Sequence, residues 1–252
     1  MQTILGGAVY SPRKTPARAF LITFAEFVRS LADPSLLMKS FVCFVTMAAF
    51  AAGSFFAHAE EAWITYPAKD GPGKGKHVVL LSGDEEYRSE EALPMLGKIL
   101  SQRHGFKCSV LFAVDPDGTI NPDNQKSLPG AEALDTADVI VMSLRFRKWD
   151  DEAMKHFAEA YRRGVPMIGL RTSTHAFAGL GGEYKDFNSF GKKVLGEQWV
   201  SHWGHHKSEA TRGVIEPGAE NDPLLRGVKD IFGDTDVYEA YPPADAKILV
   251  RG

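Results

Sequence analysis

At residues 164–177 the chain reads GVPMIGLRTSTHAF. A short apolar run that follows Gly164 and Pro166 is typical of a buried parallel strand, and the polar residues after the run can begin a helix. In open α/β sheets the ligand is held by the loops just past the carboxyl ends of the parallel strands. We therefore expect Arg171 to His175 to lie where the chemistry takes place.

Apolar strand patterns alternate with helical patterns over much of the chain. We predict strands over residues 77–82, 106–112 and 138–144, and helices over residues 89–104 and from Asp150 to about residue 163. Strands that alternate with helices at this spacing predict βαβ units, and hence an α/β fold with a mostly parallel sheet covered on both faces. The weaker pattern after residue 177 predicts a helix over residues 186–194 and antiparallel or edge strands over residues 207–215, 235–241 and 247–250.

The composition is that of an ordinary globular protein. The 252 residues carry a formal net charge of −3, which gives no long-range field to attract nucleic acid, and we expect no nucleic-acid partner. The two cysteines are Cys43 and Cys108. Because Cys43 lies in a segment that we expect to be removed, no intramolecular disulfide is predicted, and Cys108 is expected to be a buried, inert thiol.

The first 59 residues have the features of an export signal. Residues 1–37 show no clear period and are interpreted as an N-terminal extension, with Met38 as an alternative start. Residues 38–59 contain a short basic start, an apolar run and the small-residue sequence AHA at 57–59, which is typical of a signal peptide. We expect a bacterial protein exported to the periplasm or beyond, without a stable membrane anchor after cleavage. Residues 60–76 are predicted to be an extended lead-in to a domain over residues 77–252.

Charged residues follow three of the predicted strands. Glu86, Tyr87 and Arg88 come after the first strand, Arg145 after the third, and Arg171 with Thr172 after the fourth. The carboxylates can act as general acids or bases, but they can equally be solvated or complement the start of a helix. Since parallel strands end at one edge, the strand ends should bring these acidic and basic groups to a common rim.

Two roles remain open for Arg171 itself. A guanidinium at this turn can bind a carboxylate, a phosphate or sugar hydroxyls, or it can form a structural ion pair beneath the loops. Attack by Thr172 or Ser173 with His175 as base is disfavoured, because a two-residue offset on one turn rarely gives the geometry for attack.

A histidine cluster follows at His202, His205 and His206, flanked by Trp199 and Trp203. On a helix all three imidazoles would share one face, which is a pattern for a metal site; on an extended segment only His202 and His206 would share a face. We favour a substrate pocket of imidazoles and indoles and name no metal ligand, and whether this cluster binds a metal stays open.

Three motifs together resemble the trehalose-utilisation (ThuA-like) family. They are LSGDEEYRSEE at residues 81–91, GLRTSTHAF at residues 169–177 and WGHH at residues 203–206, and the likeness spans roughly residue 76 to the end. The resemblance implies a flavodoxin-like three-layer sandwich, similar to the fold of class I glutamine amidotransferases, and a link to sugar metabolism.

The sequence departs from the related families at two points. Where the amidotransferases carry a catalytic cysteine this chain has Arg171, so we expect no Cys-dependent glutamine amidotransferase activity. The ThuA-like family usually continues with another strand and a histidine-containing loop, so we expect a truncated C-terminal part after Gly252.

These observations predict an exported, sugar-processing hydrolase or lyase that acts on a glycoside or oxidised sugar by acid-base chemistry. The expected catalytic residues are Glu86, His175 and His202. The expected substrate-binding residues are Tyr87, Arg88, Arg145, Arg171, Thr172, Trp203 and His205. The alternative is a non-catalytic carbohydrate-binding or scaffold domain with the same fold. The sequence identifies no cofactor, and association into a homo-oligomer stays open.

Overall fold

The computed structural model describes residues 62–252. The predicted N-terminal extension and signal peptide, residues 1–59, lie outside the described residues. Within residues 62–252 no helix is both long enough and apolar enough to span a membrane.

A five-stranded, mostly parallel sheet forms the centre of the fold, in the spatial order β1-β3-β2-β4-β5. Its strands are β1 (Trp63–Tyr66), β2 (His77–Gly83), β3 (Lys107–Leu111), β4 (Val139–Leu144) and β5 (Met167–Gly169). The last four run parallel to one another, which confirms the predicted mostly parallel sheet. β1 pairs antiparallel with β3, with Trp63 opposite Leu111. Within residues 60–76, which we predicted to be an extended lead-in, β1 thus forms an edge strand of the sheet.

Two helices each have one end at a signal that the sequence provides. α1 (Ser89–His104) ends where Gly105 adopts a φ of 80° and its N–H reaches the carbonyl groups of Leu100 and Ser101. α2 (Asp151–Arg162) begins with the Asp150 carboxylate accepting a hydrogen bond from the Ala153 N–H, at 2.9 Å. Both helices lie within a residue of their predicted bounds.

Apolar clusters lie on both faces of the sheet, because side chains alternate along each strand. In β2, Val78 and Leu80 pack with Leu93 of α1, whereas Val79 and Leu81 belong to the cluster that contains Phe157 of α2. The α2 side is rich in aromatic rings; Phe157, for example, meets Phe177 at 5.1 Å between ring centroids. The mixed α/β class is confirmed.

β5 differs from its prediction as a buried strand. It lies at the edge of the sheet with a single neighbour, β4, and Ile168 is 51% exposed. Gly164 and Pro166 do precede a parallel strand, but its position at the edge depends on the order of the strands, which a local pattern does not specify.

The remainder of the chain is built from short elements. Helical turns span Ala131–Thr136, Arg171–His175, Gly182–Ser189, Gly191–Leu195 and Pro223–Leu225. Two-residue strands follow at β6 (His202–Trp203), β7 (Thr211–Arg212), β8 (Val214–Ile215), β9 (Phe232–Gly233), β10 (Val237–Tyr238) and β11 (Val250–Arg251). They pair antiparallel as β6 with β10, β7 with β9 and β8 with β11. The predicted strands are therefore present but much shorter, and the predicted helix over residues 186–194 is replaced by a 3-10 and a π turn.

Cys108 lies in β3 and is fully buried. Burial raises the pKa of its thiol to about 11. The side chain therefore stays protonated at neutral pH, as expected for an inert thiol.

Candidate functional site

The carboxyl ends of β2, β4 and β5 meet at one rim, where an ion-pair network forms. Arg145, just after β4, contacts two carboxylates that follow β2: it is hydrogen-bonded to Glu85, and its Nε lies 3.4 Å from Glu86 Oε2. Arg147 is fully buried, and its guanidinium donates to Glu85 at 3.2 Å. The ends of β2 and β4 thus bring acidic and basic groups together, whereas the charged group that follows β5, Arg171, pairs with Asp236.

Asp84 supports the rim from beneath. It is fully buried, and its carboxylate accepts hydrogen bonds from the Thr172 hydroxyl at 2.5 Å, the Glu86 N–H at 2.9 Å and the Ser143 hydroxyl at 3.4 Å. Thr172 is itself fully buried. The structure thus gives Thr172, a predicted substrate-binding residue, a supporting contact beneath the rim rather than an exposed position.

Arg171 forms the structural ion pair that the sequence left open. Its guanidinium donates to the Asp236 carbonyl oxygen at 2.8 Å and to Asp236 Oδ1 at 3.1 Å. The same group lies over the rings of Tyr87 and Tyr238, 4.9 and 4.3 Å from their centroids. Burial would lower the pKa of Arg171, but the neighbouring Tyr238, Tyr87 and Asp236 raise it overall. Arg171 is therefore a fixed cation that holds the 236–238 segment against the rim.

Asp236 is the centre of a second network, which joins the histidine segment to the rim. Its Oδ1 accepts from Thr235 at 2.8 Å and from His206 Nδ1 at 3.0 Å, and its Oδ2 accepts from His202 Nδ1 at 2.5 Å. Burial alone would raise the pKa of Asp236. The hydrogen bonds from Thr235, His206 and His202, with the charge of Arg171, outweigh that effect and hold the pKa far below its usual range.

Glu86 links the two networks. Its Oε1 accepts a hydrogen bond from His206 Nε2 at 2.7 Å and lies 3.5 Å from the Lys207 ammonium group. Burial raises the pKa of Glu86, but the bond from His206 and the charges of Arg145 and Lys207 give a net lowering. Glu86 is therefore a carboxylate at neutral pH, with both oxygen atoms close to donors.

His175 lies in an aromatic environment at the end of the turn that follows β5. Its ring is 4.9 Å from Phe146, 5.9 Å from Trp199 and 6.0 Å from Tyr238, measured between centroids. Nδ1 lies 3.1 Å from the Thr174 hydroxyl. Burial, reinforced by the charge of Arg145, lowers the pKa of His175 to about 4, so its imidazole is neutral at neutral pH.

Three of the predicted binding residues are not brought into this cluster. Arg88 is exposed and pairs with Glu91 on α1. Trp203 is 72% exposed, because side chains alternate along β6 and its neighbour His202 faces the cluster. His205 is largely exposed and donates to Glu209 at 2.7 Å. The structure instead brings together Glu86, Tyr87, Arg145, Arg171, His175 and His202.

Asp236 and Tyr238 are the residues that sequence reasoning missed. Asp236 is 65 positions from Arg171, and nothing in the local sequence pairs the two. One signal was present: Tyr238 lies in a predicted strand, and an extended histidine segment was one of the two conformations considered. In the structure His202 and Tyr238 face each other across the β6–β10 pair. The pairing of these strands would have placed Asp236 beside the histidine segment.

The cluster combines features that suit an oxygen-rich ligand. Arg145 offers a cation, His175 a neutral imidazole, and Trp199 and Tyr238 offer ring surface next to these polar groups. Such a surface can stack on the apolar face of a small molecule while the polar groups bind its oxygen atoms.

Comparisons with known proteins give one structural similarity. No family model and no curated protein matches the chain. The fold is similar to the crystal structure of a protein provisionally described as ThuA-like, from Bacteroides uniformis ATCC 8492, with 12% sequence identity and a TM-score of 0.42. The alignment covers 68% of this chain and 62% of that chain.

Proposed function

We propose that this protein is an exported enzyme that binds a carbohydrate at the rim and transfers a proton on it. The observation that carries the proposal is the neutral imidazole of His175, held among aromatic rings beside Arg145. The resemblance of the motifs at residues 81–91 and 169–177 to the ThuA-like family supports a sugar as the substrate class. That resemblance also supports a flavodoxin-like three-layer arrangement of the sheet and its helices.

Aromatic surface and charged donors are adjacent in this cluster, as sugar recognition requires. Trp199 is 39% exposed, and its ring lies 5.9 Å from His175 and 5.7 Å from His202. A pyranose ring can stack on such an indole because its axial C–H bonds form an apolar face. Its hydroxyl groups then reach the polar edge that Arg145 and His175 provide.

His175 is the group placed to exchange a proton with the substrate. Of the three predicted catalytic residues, Glu86 is bonded to His206 and His202 is bonded to Asp236. In the described part of the chain, His175 has a hydrogen-bond contact only through Nδ1, and its Nε2 remains for a ligand. A neutral imidazole can accept the proton of a sugar hydroxyl or of an acidic C–H next to a carbonyl group.

The low basicity of His175 favours a second candidate function. An imidazole with a pKa of about 4 is a weak base but still a good hydrogen-bonding partner for an oxygen atom. A non-catalytic carbohydrate-binding domain would use the same residues to bind a sugar and would not convert it.

A panel of disaccharides, glycosides and oxidised sugars tests both candidates, with calorimetry for binding and chromatography for products. The test variant is His175→Asn, which keeps an oxygen near Thr174 but removes Nε2. The matched control is His104→Asn, on the exposed end of α1. We expect the wild type and the control to bind and convert at least one sugar, and His175→Asn to convert it about 100-fold more slowly or worse.

Binding without any product would select the non-catalytic domain. In that case Trp199→Ala should weaken the affinity, whereas Phe232→Ala, at a residue that is 63% exposed, should not. Failure of the whole panel to bind, or full conversion by His175→Asn, would overturn the proposal.

A further inference from the structure

We propose that His202, His206 and Asp236 bind a divalent first-row transition metal ion. Each residue offers one ligand atom, and the three atoms lie within 4.8 Å of one another. Two imidazoles and one carboxylate are a ligand set for Zn²⁺ and its neighbours in the first transition row, whereas Ca²⁺ and Mg²⁺ prefer oxygen ligands. The inference does not depend on the sugar or on the role of His175.

The backbone of two paired strands brings the three ligands together. His202 lies in β6 opposite Tyr238 in β10, and Asp236 directly precedes β10. A turn in which Gly204 adopts a φ of 102° follows β6 and places His206 beside His202. Its ring centroid is 4.6 Å from that of His202.

The hydrogen bonds of His206 orient it as a metal ligand. Its Nε2 lies 2.7 Å from Glu86 Oε1 and donates to it, so Nδ1 is the atom directed at Asp236. A histidine that ligates a metal commonly donates its other ring N–H to a carboxylate, which fixes the tautomer and raises the basicity of the ligand. Glu86 occupies the position of that second carboxylate.

The hydrogen bonds to Asp236 mark the positions that a cation would take. His206 Nδ1 lies 3.0 Å from one oxygen atom of the carboxylate, and His202 Nδ1 lies 2.5 Å from the other. A metal ion that displaces the two Nδ1 protons to solvent would be held by the lone pairs of both imidazoles, while His206 Nε2 still donates to Glu86.

Asp236 is held so that one of its oxygen atoms remains for a metal. Oδ1 accepts from Thr235 and from Arg171, which fix the carboxylate. Among the described residues, Oδ2 has a hydrogen-bond contact only with His202. The positive charges of Arg171 beside Asp236, and of Lys207 and Arg145 beside Glu86, oppose a nearby cation. Binding therefore depends on direct contact of the metal ion with the three ligand atoms.

One side of the ligand set is open to solvent. The Asp236 side chain is fully buried, whereas those of His202 and His206 are about 30% exposed. Three protein ligands with an open fourth position are the arrangement of catalytic rather than structural zinc sites. His205 does not belong to the set, because its imidazole is 82% exposed and bonded to Glu209.

The test uses the untagged full chain, dialysed against EDTA and then titrated with Zn²⁺ in competition with a chromophoric chelator. We expect one tightly bound zinc ion per chain. His202→Gln and His206→Gln, at partly exposed positions, should weaken binding at least 100-fold, and Glu86→Gln should weaken it about 10- to 100-fold. His104→Ala and His205→Ala should bind zinc as the wild type does.

A second readout guards against variants that do not fold. Co²⁺ added to the wild type should give visible absorption bands of the intensity typical of four- or five-coordinate nitrogen and oxygen ligands, and Zn²⁺ should abolish them. The proposal is overturned if the wild type binds no zinc under these conditions. It is equally overturned if folded His202→Gln and His206→Gln retain full affinity, or if His205→Ala loses the ion.

Discussion

Arg171 has a φ of 25°, which non-glycine residues adopt only at a cost. The contacts of its side chain offset that strain, since its guanidinium binds both the carbonyl group and the carboxylate of Asp236 and lies between two tyrosine rings. At the scale of the residue, a strained backbone thus fixes a cation that orients Asp236. The position of His202 and His206 follows from it.

Replacing Arg171 should therefore lower the stability of the fold more than it weakens ligand binding. Because Asp236 is fully buried, Arg171→Ala leaves its charge without the guanidinium and should lower the free energy of unfolding by roughly 3–5 kcal/mol. Arg171→Lys keeps the charge but loses the paired donors, and the loss should be smaller. Urea unfolding measures both, with exposed Arg226→Ala as control; a loss in Arg171→Ala no larger than in the control would rule out the structural role.

The pKa of His175 predicts how stability changes with pH. Burial and the charges of Arg145 and His202 lower this pKa to about 4 from the ordinary value of 6.5, against the opposing charges of Asp84 and Glu86. The unfolded chain therefore takes up a proton first as the pH falls, so the folded state loses stability between pH 6.5 and about 4.

His175→Asn should remove that part of the pH dependence. We expect the decrease in unfolding free energy from pH 7 to pH 5 to be smaller in the variant than in the wild type, measured by urea denaturation at each pH. His104→Asn, at an exposed position, should leave the decrease unchanged. An identical pH profile in the wild type and His175→Asn would contradict the neutral, buried imidazole.

At the scale of the element, the turn over Arg171–His175 is supported by the π turn over Gly191–Leu195. A Cβ atom at Gly191 would lie 1.8 Å from the Thr174 carbonyl oxygen and 2.6 Å from that of Glu197. Only glycine allows this close approach of backbone to backbone. The contact holds the rim segment that carries His175.

Gly191→Ala should destabilise the protein by roughly 1–3 kcal/mol or more, because neither carbonyl group can move without displacing its segment. Gly181→Ala is the matched control, since Gly181 has a φ of −116° and no atom within 4 Å of the added Cβ. Thermal or urea unfolding compares the two. Equal stability of both variants would show that the turn adapts and does not depend on this contact.

Local signals in the sequence predict the helices and strands, but not which of them lie next to each other in the fold. Asp150 and Gly105 mark helix ends, and the unbroken apolar run over β2 predicts a central strand. β1 has no such signal: it is a four-residue strand whose two central residues are exposed, and it is held by pairing with β3. Whether a strand such as β5 lies at an edge likewise depends on the sheet as a whole.

The candidate site likewise contains residues that local sequence signals predict and one residue that they do not predict. Glu86, Arg145, Arg171 and His175 could be predicted because each follows the carboxyl end of a parallel strand, and those ends must meet. Asp236 could not, because its position depends on the two-residue pair of β6 and β10 and on a contact over 65 positions of sequence.

At the scale of the whole molecule, the sheet, the rim and the histidine segment all lie within residues 62–252. We propose that the mature protein is an exported chain that begins near Glu60, a start that would leave β1 from Trp63 intact. Mass spectrometry of the protein from its native host should find this N-terminus in the exported fraction. An uncleaved chain retained in the cytoplasm would contradict export.

The most direct measurement of the central claim is histidine side-chain NMR of the protein before and after a sugar is added. The ring nitrogen and proton signals report the protonation state of each imidazole and its contacts. We predict that a sugar that binds by calorimetry shifts the signals of His175, while those of the exposed His104 and of His156 near Asp135 stay in place. A sugar that binds while the His175 signals do not move would show that the ligand lies elsewhere and would contradict the account.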